Sequence, residues 1–154
     1  MFSSLAVRSL MRANNRALVM NSLRYFATIR RFTPDHEWIE YNTDTKEAKI
    51  GITHFAQGEL GDIVHLDIAE IGTRFAKGDG ICGIESVKTA ADVYAPVTGE
   101  ITAHNENVKT DASIVNSEAE KDGWVLKVYV ENERDIMELM DLKQYQKFCD
   151  ENKH

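Results

Sequence analysis

Apolar residues recur at every second position in several short stretches, and this alternation constrains the fold more than any other feature of the chain. Ala48, Ile50 and Ile52 alternate with Lys49 and Gly51. Val64, Leu66 and Ile68 alternate with His65 and Asp67, and Trp124, Leu126, Val128 and Val130 with Val125, Lys127 and Tyr129. A period of two sends neighbouring side chains to opposite faces, so each stretch reads as a half-buried strand. Turn formers lie between such stretches at Asn42-Thr43-Asp44, Lys77-Gly78-Asp79-Gly80, Thr98-Gly99 and Asp122-Gly123. Short strands with close turns predict a mainly β fold, a barrel or sandwich of antiparallel strands. At 43% hydrophobic over 154 residues, the chain has enough apolar surface for a core.

Helices are expected to be accessory. Thr53 is placed to cap a short one through about Leu60, and another is expected near Asp111–Val115. Asp141 suits the N-cap of a C-terminal helix whose Leu142, Tyr145, Phe148 and Cys149 share one face. Ile136, Leu139 and Met140 make a shorter stripe before it. These helices should lie outside the β core and cover apolar sheet.

The first 34 residues differ from the rest: they hold Arg8, Arg12, Arg16, Arg24, Arg30 and Arg31, and the first carboxylate is Asp35. Arg8, Arg12 and Arg16 fall along one face of a helix, with Leu5, Leu10, Met11, Leu18 and Val19 supplying apolar surface elsewhere. A basic, serine-bearing, acid-free amphipathic segment has the composition of a mitochondrial transit peptide. Arg24-Tyr25-Phe26 before Ala27 resembles a processing site. The expected organisation is therefore a transit peptide over 1–26, an N-terminal extension over 27–34, and one domain with C-terminal helices over 35–154, located in the mitochondrial matrix.

Loss of residues 1–26 removes four arginines and no acid, which takes the net charge from −7 to −11. Such a body is a poor ligand for nucleic-acid phosphates and suits basic protein partners instead. No apolar run is long enough to span a bilayer. Cys82 and Cys149 form no CxxC and are too few for a disulfide scaffold, so they are expected as free thiols. The five histidines show no metal-site spacing, and no nucleophile–base set or phosphate loop is recognisable.

Gly80-Ile-Cys-Gly-Ile-Glu-Ser-Val-Lys88-Thr-Ala-Ala-Asp-Val-Tyr-Ala-Pro96 sets one lysine between two β-prone runs. The arrangement points to a lysine at a hairpin tip, although the usual turn formers are absent around Val87-Lys88-Thr89. Lysine is a nucleophilic amine on a long flexible stem, suited to covalent attachment. Alone, Glu85-x-x-Lys88 has almost no specificity, and an ordinary surface lysine is the simpler reading.

Ordered motifs over about 120 residues add what that tetrapeptide lacks. They are Asp35-His36-Glu37-Trp38-Ile39, Gly51-Ile52-Thr53, Ala56-Gln57, Leu60-Gly61-Asp62-Ile63-Val64, Gly72-Thr73, Lys77-Gly78-Asp79, Glu85-Ser86-Val87-Lys88, Asp92–Ile101, Val115-Asn116 and Asp122-Gly123-Trp124. Together they resemble the glycine cleavage system H proteins. Thr89 departs from the alanine common there, and Asn105-Glu106-Asn107 precedes an altered segment.

The resemblance implies a lipoyl-domain-like barrel-sandwich hybrid and a non-catalytic carrier with lipoic acid in amide linkage to Lys88. It implies four kinds of partner: glycine decarboxylase, aminomethyltransferase, dihydrolipoyl dehydrogenase and lipoate-attaching enzymes. The carried aminomethyl group bears an amine and loses ammonia when water reaches it, so a cleft with carboxylates is expected. Glu37 and Asp92 are the candidates for that cleft, each also readable as an ordinary strand or turn residue. Glu85 is the candidate for recognition by the attaching enzyme. Gly72 and Gly99 are expected to serve turns or close backbone approach, and Trp38 and Trp124 to anchor the core. Related carriers hold biotin on the same kind of hairpin, usually between methionines, whereas Lys88 lies between Val87 and Thr89. A biotinyl carrier and an unmodified interaction module are the alternatives, and a lipoyl relay to other mitochondrial complexes is compatible with the first reading. The absence of a Pro/Ala-rich linker points to a free-standing carrier.

Overall fold

The computed structural model describes residues 28–152. The expected transit segment lies outside them. Among the described residues, nine strands form two antiparallel sheets. The larger has the order β1 (Thr28–Phe32), β2 (Glu37–Asn42), β3 (Glu47–Ile52), β9 (Leu126–Val130), β8 (Gly99–His104) and β5 (Arg74–Phe75). The smaller runs β4 (Ile63–Ile68), β6 (Gly80–Ser86) and β7 (Ala90–Tyr94). Five helices accompany them: α1 (His54–Leu60), α2 (Glu106–Thr110), α3 (Ile114–Ser117), α4 (Arg134–Met137) and α5 (Leu142–Glu151).

Ile39, Ile50, Leu126 and Val128 of the larger sheet share one core with Ile84 and Val93 of the smaller. Each such side chain contributes about 1.5–3 kcal/mol by leaving water. The result is the mainly β barrel-sandwich with peripheral helices that the alternation and the resemblance predict. Ala48, Ile50 and Ile52 face inward as expected. Gly51 is buried too, because the Trp38 indole lies on it: a Cβ there would fall 2.7 Å from Trp38 Nε1. That nitrogen donates to the Ala119 carbonyl at 2.9 Å. At Gly99, a Cβ would overlap the Tyr129 carbonyl oxygen, so β8 approaches β9 this closely only with glycine.

Several expectations change. Residues 27–34 were expected as an extension, yet Thr28–Phe32 pair with β2 along their whole length, from Thr28 opposite Asn42 to Phe32 opposite Trp38. Phe32 is buried and stacks on Tyr145 at 4.7 Å, and the Arg30 guanidinium lies 4.4 Å over Trp38. Val64 faces solvent rather than the core, because β4 is irregular between Ile63 and His65 and Ile63 takes the inward place. The helix expected near Asp111–Val115 is the joint between α2 and α3, with Asp111 as the C-cap of α2. Trp124 is half-buried beneath Lys49 and Lys127, while Val125 beside it is fully buried.

The caps form as the residue types require. Thr53 Oγ1 accepts from Ala56 N at 3.2 Å at the start of α1. Asp141 and Gln144 make a reciprocal capping box on α5. Tyr145 is buried, and Phe148 and Cys149 pack beside it, but Leu142 stays 54% exposed and is no part of that face.

Candidate functional site

Lys88 sits at the tip of the β6–β7 hairpin, in a turn that closes without glycine or asparagine. Glu85 pairs with Ala90, and Ser86 N donates to the Thr89 carbonyl at 2.8 Å. The hydroxyl of Ser86 accepts from Lys88 N at 3.3 Å and Thr89 N at 3.1 Å, doing the work a turn carbonyl would otherwise do. Val87 N donates to the Asp62 carbonyl at 2.9 Å, which ties the tip to the loop after α1. Asn116 braces that loop by donating to the Gly61 carbonyl at 2.8 Å and accepting from Ile63 N at 2.9 Å. Ser86 and Asn116 lie within the quoted motifs, but their bracing bonds reach backbone and loops that sequence spacing does not reveal.

The tip is exposed from Val87 to Ala90. The Lys88 stem passes the face of Gly61, whose φ of 76° disfavours a side chain there. Among the described residues the Lys88 ammonium has no ion pair or hydrogen-bond partner, so its nitrogen is free for acylation.

Beside this tip lies a cleft of ≈ 190 Å³, lined by Asp35, His36, Glu37, Phe55, Glu59, Leu60 and Asp92 among others. Leu60, which lines the cleft, immediately precedes Gly61, the residue that the lysine stem passes. The structure thus brings Glu37 and Asp92 together, from β2 and β7. Glu37 is only 3% exposed. Its Oε1 accepts from the Thr33 hydroxyl at 2.6 Å and its Oε2 from Tyr94 N at 3.0 Å. Burial raises its pKa, and the two hydrogen bonds oppose the shift. Asp92 is exposed at the rim.

Glu85 lies elsewhere. With Asp67 and Asp92 it borders a neighbouring concavity of ≈ 260 Å³ on the smaller sheet, so that Asp92 lines both hollows while Glu85 lines this one. Cys82 is buried, which pushes its thiol up to about 12. No group of three metal-binding side chains occurs among the described residues, and none of their helices is long and apolar enough to cross a membrane.

A family model described as glycine cleavage H-protein matches residues 30–152. The chain belongs to that family. It is 40% identical over 121 residues to the glycine cleavage system H protein of Thermotoga maritima, covering 79% of this chain and 96% of that one. To the H protein of Listeria monocytogenes it is 44% identical over 119 residues, covering 77% and 94%. The crystal structure of an H protein from Mycobacterium marinum superposes with a TM-score of 0.70 at 28% identity, over 80% of this chain and 95% of that one. For an H-family chain, an exposed lysine beside a cleft with a buried carboxylate is an arrangement that can carry a group and shelter it.

Proposed function

We propose that this H-family protein is a non-catalytic carrier of the glycine cleavage system, with lipoic acid joined by an amide to Lys88 Nζ. The observation that carries the reading is Lys88 itself: an exposed amine, without an ion pair or hydrogen bond among the described residues, on an anchored hairpin tip whose neighbouring loop begins after a residue of the cleft that Glu37 and Asp92 line. When bound, lipoic acid supplies a dithiolane that takes a group on sulfur and is reoxidised by thiol–disulfide exchange.

The protein's own residues do the rest. The Ser86 and Asp62 contacts keep the tip in place while the Lys88 side chain moves. Glu37 and Asp92 present carboxylates to the amine of the carried aminomethyl group, and Phe55 and Leu60 limit its access to water. Glu85, three residues from Lys88, offers a charge on the outer face to the lipoate-attaching enzyme.

In this reading the carrier meets glycine decarboxylase for loading, aminomethyltransferase for unloading and dihydrolipoyl dehydrogenase for reoxidation. An additional lipoyl relay to other mitochondrial complexes would use the same exposed Lys88. Loss of lipoyl groups on those complexes in a Lys88→Arg background would reveal it. Residues 1–26 would direct the chain to the mitochondrial matrix, with a mature N-terminus at Ala27 that terminal sequencing would detect.

The test is reconstitution. Protein treated with a lipoate-attaching enzyme should gain the mass of one lipoyl group and then accept labelled carbon from glycine in the presence of the decarboxylase. Lys88→Arg should do neither. A biotinyl adduct, or labelling that survives Lys88→Arg, would overturn the reading.

A further inference from the structure

Strand β4 carries one residue more than its pairing with β6 uses. Ile63 lies opposite Ser86 and His65 opposite Glu85, so Val64 is the extra residue. Ile63 is buried, whereas Val64 is 57% exposed. A bulge of this kind re-aims a side chain, and here it turns an apolar one into water beside the carrier hairpin. On the other strand Ser86 is followed by Val87, also exposed, whose N–H donates to the Asp62 carbonyl. The two valines therefore flank a single cross-strand pair, and Val87 adjoins Lys88. Single exposed apolar side chains are ordinary on a surface; two flanking one pair beside the acylated position are a local concentration.

The charge of this sheet is one-sided. Strands β4, β6 and β7 contain Asp67, Glu85 and Asp92, all exposed, and no lysine or arginine. His65, exposed opposite Glu85, is their one basic side chain. Asp67 and Asp92 lie on either side of Gly83 in the register, and a Cβ at Gly83 would come within 3.9 Å of each. Glycine leaves the row open at its centre, in the hollow of ≈ 260 Å³ that Glu85 also borders. Among the described residues none of the three carboxylates has an ion pair.

We propose that this face of the smaller sheet is the docking surface for a lipoate-attaching enzyme. The enzyme makes apolar contact with Val64 and Val87 and places lysine or arginine side chains in the hollow between Asp67 and Asp92. The proposal rests on Lys88 being the carrier lysine and extends the role of Glu85 to a surface. Position selects this partner. Attachment happens at Lys88 Nζ itself: the amine attacks the carbonyl of an activated lipoyl donor, an anhydride or thioester. The C–N bond forms as the bond to the leaving group breaks, and the nitrogen gives up a proton. The attaching enzyme therefore has to seat the hairpin tip. The other partners act on the dithiolane at the far end of the arm and can dock elsewhere. Apolar contacts supply affinity in such an interface, and the carboxylates steer a basic partner in a salt-dependent way.

The test follows the initial rate of mass gain by unmodified protein with a lipoate-attaching enzyme and its activated donor, over a range of carrier concentrations and at two salt concentrations. Val64→Ser and Asp67→Lys change exposed positions, and thermal melts check that both variants fold. Each should raise the KM for the carrier about tenfold with kcat little changed, the scale of one well-placed interface residue. Asp67→Lys should also flatten the salt dependence of kcat/KM. Leu142→Ser, a similarly exposed apolar position on α5, should leave the KM unchanged. A wild-type KM in either Val64→Ser or Asp67→Lys overturns the proposal. After prolonged incubation has lipoylated them fully, both variants should accept carbon from glycine and the decarboxylase at the wild-type rate. Slowed loading at that stage would make the face a general partner surface and overturn its assignment to the attaching enzyme. Wild-type protein that gains no lipoyl mass at Lys88 overturns the carrier reading instead.

Discussion

At the tip of the β6–β7 hairpin, Val87 is 71% exposed, and among the described residues the Lys88 ammonium has no ion pair or hydrogen bond. In the cleft beside it, Glu37 is 3% exposed with both carboxylate oxygens bonded, and His36 is fixed through its backbone and ring. One region anchors its backbone and frees its side chain, whereas the other fixes its side chains as well. The difference assigns reach to the tip and shelter to the cleft. A carrier needs both, since a group that must visit several partners has to leave the place that protects it.

Substitutions should separate the two regions. The largest effect is expected at Lys88→Arg: lipoyl incorporation falls to nothing, while the thermal midpoint stays within about 3 °C because an exposed surface substitution changes stability by no more than about 0.5 kcal/mol. A large loss of stability would mean that the tip is not free. Gly99→Ala should do the reverse, since its new methyl meets the Tyr129 carbonyl. Denaturant melts should show a loss of about 1–3 kcal/mol or more.

Glu37→Gln should move both properties. One of the two donors, Thr33 or Tyr94, loses its acceptor, at a cost of about 1–3 kcal/mol, and ammonia release from the loaded protein should quicken. The pH dependence has a definite sign. The folded-state pKa of Glu37 is raised above its ordinary 4.5, so the folded protein holds that proton more tightly than the unfolded chain. Its contribution is fully present below the unfolded pKa and is lost as pH rises through the folded one. Denaturation of wild type and Glu37→Gln at a series of pH values should therefore show the wild-type advantage shrinking upward from about pH 4.5. An advantage that grows over that range would contradict the buried carboxylate. The smallest effect belongs to Ser86→Ala, about 0.5–1.5 kcal/mol for the turn bonds, with faster amide exchange at Lys88 and Thr89.

The sequence made local features legible and long-range ones obscure. Strands β3 and β9 were readable because their alternating residues face the core. Thr53 and Asp141 were readable as caps because a cap acts within three residues. Strand β1 was hidden by Arg30 and Arg31, which look like part of the basic leader. Arg30 instead reaches the Glu120 carbonyl at 2.6 Å, ninety residues away. Val64 was misplaced because the irregularity in β4 shifts the period without a glycine to mark it.

The site divides in the same way. Lys88, Glu85, Glu37 and Asp92 were named from motifs, but only the fold shows that Glu37 and Asp92 share a cleft that Glu85 does not line. His36 had no signal of its own, because its orientation depends on Tyr145, 109 residues further on.

The most direct test is peptide mapping of the protein isolated from its native compartment while glycine oxidation is running. The peptide containing Lys88 should carry one lipoyl group in amide linkage. The same peptide found wholly unmodified under those conditions would contradict the assignment of Lys88 as the carrier.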